Sequence, residues 1–142
     1  MLQPGVSHET TLIVSAAEAI HFLGSQVRPA LSTPAMIMQM EITARDAVLP
    51  LLEPGQDSVG TLVNVSHLAA TPLGMRVRFR ATLTGIDRRR LTFTVEAHDE
   101  KEKIGEGTHE RFIIEVRRYA ERLNAKGGGV GGGSASCQGR RR

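Results

Sequence analysis

Residues 75–84 and 91–98 alternate apolar and polar side chains without interruption. A period of two marks a strand with one buried and one wet face. Residues 10–14, 59–67 and 104–118 are rich in β-branched side chains and read as three more strands. Between the first two of these, Met36, Met40, Ala44, Ala47, Val48 and Leu51 recur at three- and four-residue steps. That spacing predicts one long helix with a single apolar face. Thr33 is placed to cap it, Pro34 to occupy its first position, and Glu53-Pro54-Gly55 to end it.

The remaining local signals are shorter. Residues 1–8 are expected to fray. The Ala-rich stretch 16–23 predicts a short helix closed by Gly24, and residues 25–32 a connecting loop. Pro72-Leu73-Gly74 reads as a turn, residues 85–88 as the hairpin between the two alternating strands, and residues 99–103 as a charged turn. Gly105 and Gly107 suggest a bulge or a close backbone approach, and residues 119–126 a last helical turn. The order predicts an α+β fold. Four strands follow the long helix as a meander, and the antiparallel sheet must cover the helix's apolar stripe.

A chain of 142 residues argues for one domain, placed at residues 1–126. Residues 127–142 are dense in glycine and end in three arginines, which predicts a flexible basic tail. The net charge of +3 comes from that tail. Without Arg140, Arg141 and Arg142, the 18 basic residues fall to 15 and match the 15 acidic ones, so a nucleic-acid-binding face is not expected. No apolar run is long enough for a transmembrane helix, and residues 1–5 do not resemble a secretory signal. The lone Cys137 has no internal disulfide partner. These features fit a cytoplasmic protein with no membrane or nucleic-acid partner.

The candidate chemistry lies between residues 33 and 67. Thr33, Glu41 and His67 offer a hydroxyl, a carboxylate and an imidazole, the side chains used in acyl transfer and hydrolysis. Glu41 falls at the border of the apolar helical face, where a carboxylate is partly desolvated. Each residue also has an ordinary reading: Thr33 as a cap, Glu41 as a solvated helical residue, His67 as a strand-end histidine. His98 and His109 take the ordinary reading, as does the arginine row Arg76, Arg78 and Arg80, for which contact with the phosphates of a ligand is the sharper alternative. Met36, Met38 and Met40 read as packing residues. His67 has no neighbour at metal-ligand spacing, so no metal and no cofactor are expected.

Four blocks carry a family resemblance. They are Leu52-Glu-Pro-Gly-Gln-Asp-Ser-Val-Gly-Thr61, Val65-Ser-His-Leu-Ala-Ala-Thr-Pro-Leu-Gly74, Ala97-His-Asp99 and Ile104-Gly-Glu-Gly-Thr-His-Glu-Arg111. In this order they resemble the fluoroacetyl-CoA thioesterase family of hotdog-fold proteins. The resemblance implies a sheet wrapped around one central helix, and a homodimer with active sites at the subunit interface. It also implies acyl-CoA thioester hydrolysis, with catalytic Thr33, Glu41 and His67 and with Gly60 and Arg111 on the substrate side. Whether Thr33 or Glu41 attacks, or only positions water, stays open. The stretch preceding Thr33, residues 24–32, contains no aromatic side chain. Fluoroacetyl selectivity is therefore not expected, and a short or medium acyl chain is. The alternative is a non-catalytic hotdog module that binds acyl-CoA or serves as a structural dimer.

Overall fold

The computed structural model describes residues 1–128. Strand β1 (Ser7–Ile13) is followed by a single 3-10 turn (Ala16–Glu18) and two short paired strands, β2 (Ala19–Ile20) and β3 (Ala30–Leu31). Helix α1 (Thr33–Val48) comes next, then β4 (Gln56–His67), β5 (Arg76–Asp87), β6 (Arg90–His98), β7 (Lys103–Glu115) and helix α2 (Val116–Lys126). One antiparallel sheet runs in the order β1-β5-β6-β7-β4.

The period-two pattern sets the core. Val77, Phe79, Ala81 and Leu83 on β5 and Leu91, Phe93, Val95 and Ala97 on β6 are all buried on the face that covers α1. The helix answers with Met36, Met40, Ala44, Ala47 and Val48. Gly105 lets the two layers touch, since a Cβ there would lie 2.6 Å from Met36 Sδ. Polar bonds pin both flanks of the helix. Arg45 grips Asp57 of β4 with two bonds of 2.9 and 2.6 Å, and buried Thr43 meets Thr10 of β1 at 2.7 Å.

Several local expectations change. The four-strand meander is only three strands long, because β4 pairs with β7 at one edge and residues 68–75 carry the chain across to β5. Stretch 16–23 forms one 3-10 turn and β2 instead of a helix, as its backbone is drawn into pairing with β3. Residues 5 and 6 do not fray: Gly5 donates to Leu83 and Val6 accepts from it. Helix α1 yields at Val48 to a 3-10 turn (Leu49–Leu51) that contains Pro50, ahead of Glu53-Pro54-Gly55. The β5–β6 turn lies at Arg88 and Arg89, with Arg88 at φ 60°, while Gly85 stays in the strand beside a bulge. Gly105 and Gly107 are close-approach positions, as a Cβ on Gly107 would strike the Asn64 and Val65 backbone. Gly127 and Gly128 donate back to the end of α2 and close it. The rest of the expected tail, with Cys137 and the arginine triplet, lies outside the described residues.

Candidate active site

Thr33 does not cap α1. Ser32 holds that position and its Oγ accepts from the Ala35 amide at 3.2 Å. Either hydroxyl can serve as a cap, but only the residue with extended backbone just before the first turn is placed to do so. Thr33, one residue later, has its hydroxyl free for a partner, and that partner is His67, with Oγ1 2.7 Å from Nδ1.

The main chain brings them together. The crossover after β4 is stitched to the segment before α1: Leu31 donates to the Thr71 carbonyl and Leu73 to the Pro29 carbonyl, each at 2.9 Å. Thr71 is itself buried and donates to Asp99. The start of the helix and the end of β4 are thereby fixed side by side within one chain. His67 Nε2 is buried and has no hydrogen-bond partner among the described residues, and burial lowers the His67 pKa below its ordinary value. Beside the pair opens a groove of about 650 Å³, lined mainly by apolar side chains that include Ile20, Phe22, Leu23, Leu31 and Leu68.

Glu41 is elsewhere. Eight residues at 1.5 Å per residue set it about 12 Å along the helix from Thr33. Its neighbours are Gly60, His109 and Arg111: a Cβ on Gly60 would lie 3.4 Å from Glu41 Oε1 and 3.2 Å from His109 Cε1. Arg111 is only 5% exposed. Its Nε donates to Ser58 Oγ and its Nη2 to the Ser58 carbonyl, both at 2.7 Å, while Nη1 stands 3.9 Å from Glu41. Burial draws the Arg111 pKa down, and the charges of Glu41 and Asp57 oppose that. Between Gly60 and Leu62 the pairing with β7 shifts, so Thr61 is an extra residue in the strand.

All five expected residues are therefore placed, but in two groups: Thr33 with His67, and Glu41 with Gly60 and Arg111. Two residues of the second group, Ser58 and His109, carried no functional expectation. A signal for His109 was present, since residues 109, 111 and 113 share one strand face by alternation and Ile113 belongs to the core. Arg76, Arg78 and Arg80 lie exposed on the outer face, where Arg80 pairs with Glu9 at 2.9 Å. Among the described residues no three His, Cys, Asp or Glu side chains cluster as a metal site, and no helix is long and apolar enough to cross a membrane.

An antiparallel sheet wrapped around one long helix, with a hydroxyl–imidazole pair at the helix start, defines a hotdog-fold protein. A hot-dog-like protein from Thermanaerovibrio acidaminovorans shares that fold, with a TM-score of 0.80 at 24% identity over 89% of this chain and 94% of its own. The sequence model of the FlK family, fluoroacetyl-CoA-specific thioesterase, matches residues 14–117. The fluoroacetyl-CoA thioesterase of Streptantibioticus cattleyicolor is 41% identical over 95 residues, 67% of this chain and 68% of that protein. The solved structure of the thioesterase FlK superposes with a TM-score of 0.81 at 32% identity, covering 89% of this chain and 98% of that one. Mutant forms of FlK have been solved with acetyl-CoA and with fluoroacetate and CoA. The chain belongs to the fluoroacetyl-CoA-specific thioesterase family, and it is a thioester hydrolase.

Proposed function

We propose that this thioesterase hydrolyses short- or medium-chain acyl-CoA thioesters, with Thr33, His67 and Glu41 as the acting groups. The observation that carries the reading is the 2.7 Å contact between Thr33 Oγ1 and His67 Nδ1, made by a hydroxyl with no capping duty. A threonine hydroxyl attacks only with a base at hand. Nδ1 takes the Thr33 proton as Oγ1 attacks the thioester carbonyl carbon. The carbon–sulfur bond then breaks, the imidazolium returns the proton to the departing thiolate, and water hydrolyses the acyl-threonine ester. The Gly60–Thr61 bulge lies with Glu41, so in this reading the backbone N–H groups that hold the carbonyl oxygen as it gains charge come with it from the partner subunit. Arg111 would stand on the substrate side beside them.

The acting unit is a homodimer with active sites between subunits. Two observations support this. Strand β4 is a sheet edge of 12 residues with Leu62 and Val63 exposed, a surface of the kind that other chains cover. The separation of Glu41 from Thr33 also leaves each chain with two part-sites, so Glu41 of the partner subunit would complete the Thr33–His67 end. The apolar groove beside Thr33 suits an alkyl chain longer than two carbons. A cytoplasmic setting is in keeping with such a substrate.

The test is thiol release across a panel of acyl-CoAs, with parent and His67→Ala protein. Turnover that rises from acetyl to a short or medium alkyl chain, and that collapses in folded His67→Ala, supports the reading. Parental turnover in folded His67→Ala strikes His67 from the acting groups, and no turnover by the parent protein returns the chain to a binding module. A mass-spectrometric acyl adduct on Thr33 identifies the nucleophile, whereas one on Glu41 would replace the hydroxyl route by an anhydride. Fluoroacetyl-CoA should not outpace acetyl-CoA strongly, because one contact of that size discriminates by only ~1–3 kcal/mol.

A further inference from the structure

The His109 ring sits where the edge strand, the buried arginine and the helical carboxylate meet, and both of its nitrogens are engaged. Nδ1 lies 2.8 Å from the Leu62 carbonyl oxygen. A carbonyl can only accept, so Nδ1 carries the proton. Nε2 lies 3.2 Å from Arg111 Nη1. A guanidinium can only donate, so Nε2 presents its lone pair. The two contacts admit a single state: neutral and protonated at Nδ1. The ring is 1% exposed and stacks on Phe93 of β6, with ring centres 6.1 Å apart. Leu62 is the first paired residue past the bulge. His109 thus ties the bulged strand to the guanidinium.

What the tie prevents is as informative as what it holds. Ser58 takes Nε and Nη2 of Arg111, and Nη1, which carries two N–H groups, faces both His109 and Glu41. It bonds His109 and stays 3.9 Å from the carboxylate, well beyond the ~2.7–2.9 Å of a closed charge-assisted bond. We infer that His109 is a positioning residue that keeps Arg111 from closing on Glu41, so that the carboxylate remains available for the reaction. This rests on the reading of Glu41 as an acting group. Around the ring the charged groups are Arg111 and Glu110 on β7 and Glu41 on α1; Leu62 on β4 and Phe93 on β6 add none. Burial is the chief cause that holds the imidazole neutral, and the Arg111 charge acts the same way.

The first test observes the ring directly. Long-range 1H–15N spectra of the full chain, assigned against His109→Gln, should show one imidazole that stays neutral and Nδ1-protonated from about pH 6.5, where a free imidazole is half charged, to about pH 8. An Nε2–H tautomer or an imidazolium in that range overturns the inference, whatever the substrate. The second is a mutant cycle. His109→Leu should lower kcat by about 10²-fold with little change in KM, the cost of a small misplacement. His109→Gln, whose amide both donates and accepts, should recover most of the loss. The loss should vanish in an Arg111→Lys background, because the histidine acts through the arginine. A parental kcat in folded His109→Leu, or a loss undiminished beside Arg111→Lys, overturns it. If the thioesterase reading itself fails, the parent turns over no acyl-CoA, yet the spectrum still decides the state of His109.

Discussion

The Thr33–His67 pair rests on one 2.7 Å contact between the start of a helix and the end of a strand, whereas Arg111 alone makes three bonds to buried partners. The first group is open to a groove and has a nitrogen without a partner among the described residues. The second is mostly closed, with Ser58, His109 and Arg111 all buried, Glu41 partly exposed and Gly60 at the surface. A reacting group must leave its partner during the reaction, so it is held lightly. A group that only orients others is held by everything around it. Differences in what each group costs when cut should therefore separate rate from stability.

The largest effects belong to rate. Thr33→Ala, His67→Ala and Glu41→Gln should each lower kcat by roughly 10²–10⁴ in folded protein, with losses that do not add in double variants. If the two groups meet only across subunits, mixing Thr33→Ala dimers with Glu41→Gln dimers should restore about a quarter of parental activity. Random exchange makes half the dimers hybrids, each with one intact site of two. No recovery after demonstrated exchange would put all three residues in one chain's site.

Next comes the closed group, which should answer in stability. Ser58→Ala leaves the buried Nε of Arg111 without its acceptor, which costs about 1.5–3 kcal/mol for a bond to a charged group. A shift of the urea midpoint at unchanged slope measures it. An unshifted midpoint would mean that the arginine finds water instead.

The pH dependence touches both groups. Burial lowers the pKa of His67 and of His109 from 6.5. Above pH 6.5 both rings are neutral whether folded or unfolded, and no proton uptake opposes folding. Below it the unfolded chain takes protons that the folded chain refuses, so stability falls as pH drops from 6.5 through the lowered folded values. The acid limb of kcat/KM, where His67 must be neutral to accept a proton, should also lie below pH 6.5. A limb above that value would mean that His67 gains a carboxylate partner that raises it.

The two smallest effects test the frame. Ser32→Ala removes the cap of α1 and should cost about 1 kcal/mol while leaving the Thr33 hydroxyl in place. A collapse of kcat there would show that the pair depends on the cap. Removal of residues 129–142 should change neither melting temperature nor turnover, as a glycine-rich segment has little to bury. A large loss would give that tail a role in the fold or the site.

Much of the fold was legible in local pattern. Alternation in residues 75–84 and 91–98 foretold the two central strands, and the three- and four-residue steps foretold α1, because burial on one face of a regular element leaves a period in the chain. The family resemblance named Thr33, Glu41, His67, Gly60 and Arg111 as the candidate site. What local pattern could not decide was choice among equals. Ser32 and Thr33 are both competent caps, and only the backbone angle imposed by β3 and the crossover loop assigns the cap to Ser32 and frees Thr33. Strand β4 looked like the next member of a meander. Its partner is β7, because pairing order depends on how the whole sheet closes over the helix and not on any residue within β4. His109 looked like any strand histidine. Its proton is fixed by a carbonyl 47 residues away and by a guanidinium two residues on, contacts that exist only once the sheet has formed. Periodicity is written in the chain because solvent acts on every residue alike, whereas partners are chosen by geometry that the folded sheet alone supplies.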